Sequence, residues 1–392
     1  MQFASITKRL AGLGSDKWHV HIEGKRRLAA GEPMLMLSIG EPDFKPAPAI
    51  LDRAVDALRA GRTRYSNGRG EPEVLEALAK KYSARTGRTI KPNQFTFLPG
   101  TQTSLFACML ALAEPGDDVL MPDPFYATYE GIIAAAGANV VSVPVSPENH
   151  FHLKAEDLDR AITPKSRVLL LNTPSNPTGA VLSAEEIAAI GAVCKKHDLW
   201  ILCDEVYASL VYQGSFHSPF DNPDIADRTV VVSSISKSHA IPGFRCGWAL
   251  GSEAFAEALL PLSETMLFGS QPFLEDATAF ALSHDLPEVQ AMQQAYRERA
   301  NVMVEALSNT PGLSCHMPEG GMFIMADIRH TGLSGEEFAL RLMEEEKVVT
   351  MPGEAFGSCA AGHLRLAMTQ DKENLAEACR RISSFSRRLM AG

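Results

Sequence analysis

The sequence predicts an α/β fold: a mostly parallel sheet covered by helices, carried by a large domain and joined to a smaller α+β domain. Three observations carry that expectation. Short apolar runs alternate with longer segments of helical periodicity through the middle of the chain. Several of those runs are apolar at every position, as strands buried on both faces must be. Toward the C-terminus the pattern changes, and strands mix with long amphipathic helices.

In chain order, "NQFTFL" is the first clear strand, and "LPGTQTS" after it opens the helical run "TSLFACMLALAEPG". "DDVLM", "NVVSVPV" and "RVLLLN" are further strands, the last running into the turn-forming "TPSNPTG". In "LSAEEIAAIGAVCKKHD", Ser183 and Glu186 form an S-x-x-E capping box, which starts a helix at Ala184. "LWILCDE" and "TVVVSS" are strands again. Beyond them, "LPEVQAMQQAYRERANVMVEAL" is a long amphipathic helix, "GGMFIMADI" a strand and "SGEEFALRLMEEE" a helix. "HLRLAMT" is a strand and "KENLAEACRRISSFSRRLM" the closing helix. The alternation means βαβ units and a parallel sheet. Residues 45–285 are expected to form the large domain, and 1–44 with 286–392 the small one, since "MLSIGEPDF" has no local βαβ context.

Composition narrows the function classes. With 392 residues the chain is long enough for two or three domains, or one large and one small. A formal net charge of -10 opposes nucleic acid as a partner, because phosphate binding wants a basic surface. The seven cysteines are scattered without a CxxC pair, which argues for a reduced, cytoplasmic interior and against a metal site. The N-terminal stretch has no long apolar run, so a signal peptide is not expected. No apolar run approaches the roughly 20 residues a membrane span needs, so no membrane partner is expected.

The usual cofactor fingerprints are missing. "GRGEPE" at Gly68 fails as a G-x-G-x-x-G at the third glycine, and there is no P-loop, H-E-x-x-H or G-x-S-x-G. Instead, polar groups stand at the C-terminal ends of predicted strands, where open α/β sheets bind ligands. Asn172 and Asn176 follow one strand, Asp204 and Tyr207 another, and Ser234, Ser236 and Lys237 a third. Gly100 precedes free helix N-terminal amides, an anion site that Ser234, Ser236 and Arg245 can complete. Each residue alone has an ordinary explanation. A strand-end Asp or Asn is by default a turn or cap residue, a lone Lys is a solvated surface group, Tyr126 a half-buried aromatic, and "NPTG" a turn. Their joint occurrence in this order resists that explanation.

On "NTPSNPTG", "CDEVY" and "SSISKSHAIPGFRCGW", the chain resembles the fold-type-I, class-I pyridoxal-phosphate aminotransferases, from "SIGEPDF" at Ser38 to "GHLRLAM" at Gly362. The resemblance implies a seven-stranded large-domain sheet and a homodimer whose active sites are shared between subunits. It implies that Lys237 binds the cofactor aldehyde, and that its amine, neutral when buried among cations, moves the substrate proton. Ser234, Ser236 and Arg245 are implied to hold the cofactor phosphate, with the Gly100 turn and the backbone amides of Thr101 and Gln102, and with Tyr65 reaching in from the partner. Asp204 is implied to pair with the ring nitrogen, Asn176 and Tyr207 with the ring oxygen, and Tyr126 to stack on the ring. Arg365 is implied to clamp the substrate α-carboxylate, close to Gly40. The reaction implied is ping-pong transfer of an amino group from an L-amino acid to a 2-oxo acid.

Substrate choice is less legible. Arg64 and Arg69 are the candidate cations for a second carboxylate, and either is as readily a solvated surface group. "SKSHAIPGFRCGW", "PEGGMFIMADIRHTGLSGEEFALRL" and "KWHVH" are similar to arginine–pyruvate transaminases, which points to arginine as donor and pyruvate as acceptor. Glu41, Asp43 and Glu130 are the acids available to meet a guanidinium. Other readings share the cofactor residues: a cysteine-S-conjugate β-lyase, or an aspartate or aromatic aminotransferase. A regulator on this fold needs an added DNA-binding domain for which no room is expected. A nicotinamide oxidoreductase lacks its fingerprint.

Overall fold

In the structure, a computed structural model describing residues 1–13 and 15–391, β1 (Leu35–Met36) is followed by seven strands that form one sheet. They are β2 (Phe95–Leu98), β3 (Asp118–Asp123), β4 (Asn139–Pro144), β5 (Ser166–Asn172), β6 (Trp200–Asp204), β7 (Thr229–Ser234) and β8 (Gly247–Leu250). Their order is β2-β8-β7-β6-β5-β3-β4. All pairings from β4 across to β7 are parallel, while β8 runs antiparallel to both β7 and β2. The mostly parallel α/β sheet expected from the sequence is present. Within this sheet, β8 is the strand the sequence does not announce. Its four residues are all buried and start two positions after a left-handed Arg245, so no alternation marks them; pairing on both edges does.

Burial explains the unbroken apolar runs. Val119, Leu170, Leu202 and Val230 face the helices Gly100–Leu112, Tyr129–Ala136 and Glu253–Met266. Their neighbours Leu120, Leu169, Leu171, Ile201 and Cys203 face the opposite way, onto the helices Ala155–Ala161 and Ala184–Lys196. Each fully buried Leu or Ile contributes about 1.5–3 kcal/mol by leaving water. The helix Ala184–Lys196 starts where its capping box places it: Ser183 Oγ accepts from the Glu186 N–H, and Glu186 accepts from the Ser183 N–H at 2.8 Å.

The C-terminal part carries β9 (Ser314–Cys315), β10 (Phe323–Asp327), β11 (Val348–Val349), β12 (Met351–Pro352) and β13 (His363–Ala367). Four of these form an antiparallel sheet in the order β12-β13-β10-β9. The helices Pro287–Ser308 and Lys372–Ala391 pack on it through Met292, Met303, Leu375 and Ile382. β1 pairs in parallel with β11, and Val20, Met34 and Leu37 enter the same core. Arg9 goes elsewhere: its Nε donates to the Ala134 carbonyl, at the end of a helix of the large sheet.

His152 ties the loop after β4 to the segment that leads into β10. Its Nδ1 meets Glu186 at 2.7 Å and its Nε2 meets Glu319 at 2.8 Å. Glu319 also accepts the Val181 N–H at 2.7 Å. The hydrogen bond to Glu319, with help from Glu186 and against the cost of burial, lifts the imidazole from 6.5 to about 9. A group raised in the folded state stabilises fully below its unfolded value and loses that contribution as pH climbs through the folded one. We therefore expect His152→Gln to lower the melting temperature most near pH 6 and least near pH 10. Thermal unfolding of both proteins across that range checks it, and a gap that widens at high pH would contradict it.

Candidate active site

The C-terminal ends of β5, β6 and β7 open into a cavity of about 370 Å³ that Phe323 of β10 and Arg365 of β13 also line. Asn172, Asp204 and Ser234 are the last residues of their strands and all line it. The end of a parallel sheet thus collects polar groups from segments far apart in sequence.

One corner is built for an anion. Gly100 turns the chain from β2 into the helix Gly100–Leu112 with φ +82, and a Cβ there would lie 2.3 Å from Arg245 Nη2. The helix therefore presents its N-terminal amides beside that guanidinium, with Thr101 and Gln102 lining the cavity. Thr101 Oγ1 is buried without a hydrogen-bond partner. Ser234 Oγ accepts the Ser236 N–H at 3.3 Å, which starts the short helix Ile235–Ser238 and brings both serines to the same wall. Arg245 is steadied by the carbonyls of Pro242 and Pro99 at 2.8 and 3.3 Å. Two serines, a threonine, free amides and an arginine, none of them acidic, suit a phosphate.

The opposite charges sit deeper. Lys237 Nζ donates to the Gly40 carbonyl at 2.6 Å. Burial pulls its amine from 10.5 down to about 8; Arg245 and Arg365 push the same way, and Glu41 and Asp204 oppose them. Asp204 is buried, and burial raises its carboxyl to about 6. Two hydrogen bonds restrain that rise: Val206 N–H to Oδ1 at 3.1 Å and Tyr129 Oη to Oδ2 at 3.0 Å. Tyr126 lines the cavity beside Tyr129, ring centroids 5.6 Å apart, and Tyr207 packs edge-on against Phe323.

Arg365 is 1% exposed, with Nη1 on Asn176 Oδ1 at 2.9 Å and Nη2 on the Ser38 carbonyl at 2.5 Å. Its guanidinium lies between the rings of Phe323 and Phe356, at 4.2 and 4.4 Å. Nε is buried and has no partner, and burial lowers the group from 12.5 to about 10. Gly40 stands against the same Phe323, where a Cβ would come within 2.2 Å of Cζ.

Nearly all the residues singled out in the sequence therefore converge. Tyr65 does not: it is 84% exposed, outside this cavity, with its ring against the exposed Phe268. Arg64 lies with Tyr65 in that outer surface, and Arg69 is paired with Glu257. Three contributors were not read from the sequence. Tyr129 holds Asp204, and its spacing of three from Tyr126 in "PDPFYATY" was the available signal. Trp18 lines the cavity over Arg365 at 5.8 Å, and Phe356 stacks on it; both come from far along the chain, with no local signal.

The site fits pyridoxal 5′-phosphate on its own terms. Thr101 Oγ1 and Arg365 Nε are buried polar atoms awaiting partners, the arginine corner suits a phosphate, and a buried lysine and aspartate flank the space between. Because the Tyr129 hydroxyl stabilises the charged form of Asp204, Tyr129→Phe should move that carboxyl above about 6. Carbon-13 NMR titration of labelled aspartate in the cofactor-free protein measures it, and an unmoved titration would remove Tyr129 from this role.

The family model for aminotransferase class I and II matches residues 32–382. The chain is 43% identical over 390 residues to the arginine–pyruvate transaminase AruH of Pseudomonas aeruginosa, covering 100% of this chain and 99% of that one. It is 32% identical over 388 residues to an aspartate aminotransferase of Geobacillus stearothermophilus, with 97% and 98% covered. Among solved structures, the aspartate aminotransferase from Thermus thermophilus with maleate superposes with a TM-score of 0.92 at 30% identity, covering 98% of this chain and 99% of that one. Likeness of that extent, over a cavity with this set of donors, places the chain among the class I and II aminotransferases, pyridoxal-phosphate enzymes that carry an amino group from an amino acid to a 2-oxo acid.

Proposed function

We propose that this aminotransferase works as a homodimer, taking its amino group from a long basic or neutral amino acid, arginine foremost, and giving it to a monocarboxylic 2-oxo acid such as pyruvate. One observation carries the reading. The basic residues lining the cavity are Lys237, Arg245 and Arg365, and each has work to do before any substrate side chain arrives. A second carboxylate entering that space loses its hydration and gains no partner from this subunit. The arginine–pyruvate transaminase relative supports the same choice.

Pyridoxal 5′-phosphate, when bound, supplies an aldehyde that captures the amino group and a ring that draws electrons from the substrate Cα. The protein's share is to hold, orient and move protons. Ser234, Ser236, Arg245 and the amides at Thr101 and Gln102 would hold the phosphate, with Tyr65 of the partner subunit completing the cup. The exposure of Tyr65 in the single chain supports that assignment. Asp204, its charged form favoured by two hydrogen bonds, would pair with the ring nitrogen and keep it protonated. Asn176 and Tyr207 would hydrogen-bond the ring oxygen, and Tyr126 would stack on the ring. Arg365 clamps the α-carboxylate, with its free Nε and with Asn176 beside it. Gly40 leaves the substrate room. Lys237 Nζ would bind the aldehyde and would take the substrate Cα proton; an amine near 8 is matched to that exchange.

Residues 45–285 would then form the cofactor-bearing domain, and 1–44 with 286–392 the smaller one. Seven unpaired cysteines, six of them buried, support a reducing cytoplasmic setting. Among the described residues no helix is long and apolar enough to cross a membrane.

Lys237→Ala should lower transamination by about 10³-fold or more while leaving cofactor bound through the phosphate corner, and borohydride should label the wild-type chain at Lys237. Labelling at another lysine would overturn the assignment. The donor reading is tested separately, by kcat/KM for arginine and aspartate, each with pyruvate and with 2-oxoglutarate. Arginine with pyruvate should lead; a clear lead for aspartate with 2-oxoglutarate ends the donor reading and leaves the lysine assignment standing.

A further inference from the structure

Outside the cavity, Glu275 is a carboxylate buried at 0% exposure. It stands in the first turn of the helix Pro272–Ser283, where a helix N-terminus favours negative charge. Arg62 is spent on its neighbours, Glu71 at 2.6 Å and Asp276 at 2.9 Å. The two oxygens of Glu275 are taken by one short stretch of chain. Oε1 accepts the Ser66 hydroxyl at 2.7 Å, and Oε2 accepts the Glu71 N–H at 2.6 Å. Burial pushes the carboxyl upward, and these two bonds hold it back. An apolar residue of similar size would avoid the cost of burying a charge. What the carboxylate adds is a fixed place for the loop from Ser66 to Glu71.

Tyr65 is the residue just before that anchor. Among the described residues no backbone-to-backbone hydrogen bond holds Arg64, Tyr65 or Ser66. The Tyr65 ring has an edge contact with Phe268, which is itself exposed. The Ser66 hydroxyl on Glu275 is therefore the nearest hydrogen bond that ties Tyr65 to the body of its subunit. The segment after Phe268 leans on the same point: a Cβ on Gly269 would lie 2.9 Å from the Ser66 carbonyl. Ser66 is thus clamped between Gly269 and Glu275, and both belong to the approach and first turn of one helix.

We propose that Glu275 is a positioning residue for the active site of the other subunit: it anchors Ser66, Ser66 aims Tyr65, and so a carboxylate buried in one subunit sets how tightly its neighbour keeps pyridoxal 5′-phosphate. The inference rests on the reading of a homodimer in which Tyr65 reaches the phosphate across the interface, and adds the group that aims it. The effect has a direction. Weakening the anchor loosens cofactor in the neighbour and not in the subunit that bears the change. In Glu275→Gln the carboxamide keeps the shape but turns an N–H toward one of the two donors, so one of the two bonds is lost.

The test uses hybrid dimers, purified through two different affinity tags, in which one subunit has Lys237→Ala. Borohydride then fixes cofactor at one site alone, that of the subunit with intact Lys237. In the first arrangement Glu275→Gln is placed in the Lys237→Ala subunit, whose loop serves that site. In the second it is placed in the subunit with the intact lysine. Equilibration with graded pyridoxal 5′-phosphate before reduction gives the dissociation constant at the fixed site. It should rise roughly tenfold in the first arrangement, the order of one hydrogen bond to a charged group, and stay within about twofold of the parent hybrid in the second. Tyr65→Phe in the first arrangement should match that rise, and the double variant should add nothing, because both changes remove one interaction. Ser66→Ala, which deletes only the hydroxyl, should repeat the pattern and decides the matter if Glu275→Gln does not fold. Equal weakening in both arrangements, or a further loss in the double variant, would make Glu275 a general support of the fold and overturn the inference. A Tyr65→Phe loss that neither Glu275→Gln nor Ser66→Ala reproduces sinks the inference and spares the dimer reading. A Tyr65→Phe change without effect in the first arrangement overturns both.

Discussion

Three separate stretches of chain meet at the Arg365 guanidinium. Asn176 brings the loop after β5, Ser38 brings the N-terminal segment, and Phe323 and Phe356 bring the C-terminal layer. A wholly buried cation is costly unless its donors are met. Here one amide oxygen, one carbonyl and two ring faces meet most of the demand, and Nε is left over. The arrangement of the two sheets around the cavity depends on satisfying this one charge. None of the three stretches satisfies it alone.

The large sheet sorts neighbouring residues into different tasks by alternation. Asp204 and Glu205 are adjacent acids at the end of β6, and both are buried. Asp204 faces the cavity, held by Tyr129 and by the Val206 amide. Glu205 turns to the other face, where Arg85 meets it at 2.9 Å and Ser218 donates to it. Strand geometry sends successive side chains to opposite faces, so one of the pair is available to a ligand and the other is a structural ion pair.

That logic also marks how far the sequence could be read. Strand ends followed by polar residues were legible, because long apolar runs stop there, and they delivered Asn176, Asp204, Ser234, Ser236 and Lys237 to one cavity. The Ser183 capping box fixed a helix start because its mechanism is local. Contacts that depend on tertiary approach were not legible. β8 is four residues long and owes its identity to partners 150 residues away in one case, Phe97 opposite Trp248 being an instance. Phe356 and Trp18 reach Arg365 only once the chain ends have folded together. Tyr65 marks a different limit: it is exposed and lies away from the cavity of its own chain, so nothing within one chain tests the role the resemblance implies for it.

The pairing of β1 with β11 sets an order on biosynthesis. Leu35 and Met36 emerge early from the ribosome, but their partners are Val348 and Val349. The seven strands of the large sheet have all been made once Leu250 is out, with their pairing needs met among themselves. That sheet can close while the N-terminal segment still waits, its apolar Val20, Met34 and Leu37 unshielded until the C-terminal core arrives. The nascent chain therefore passes through a long interval in which these apolar residues are tethered to the large sheet without the core that buries them.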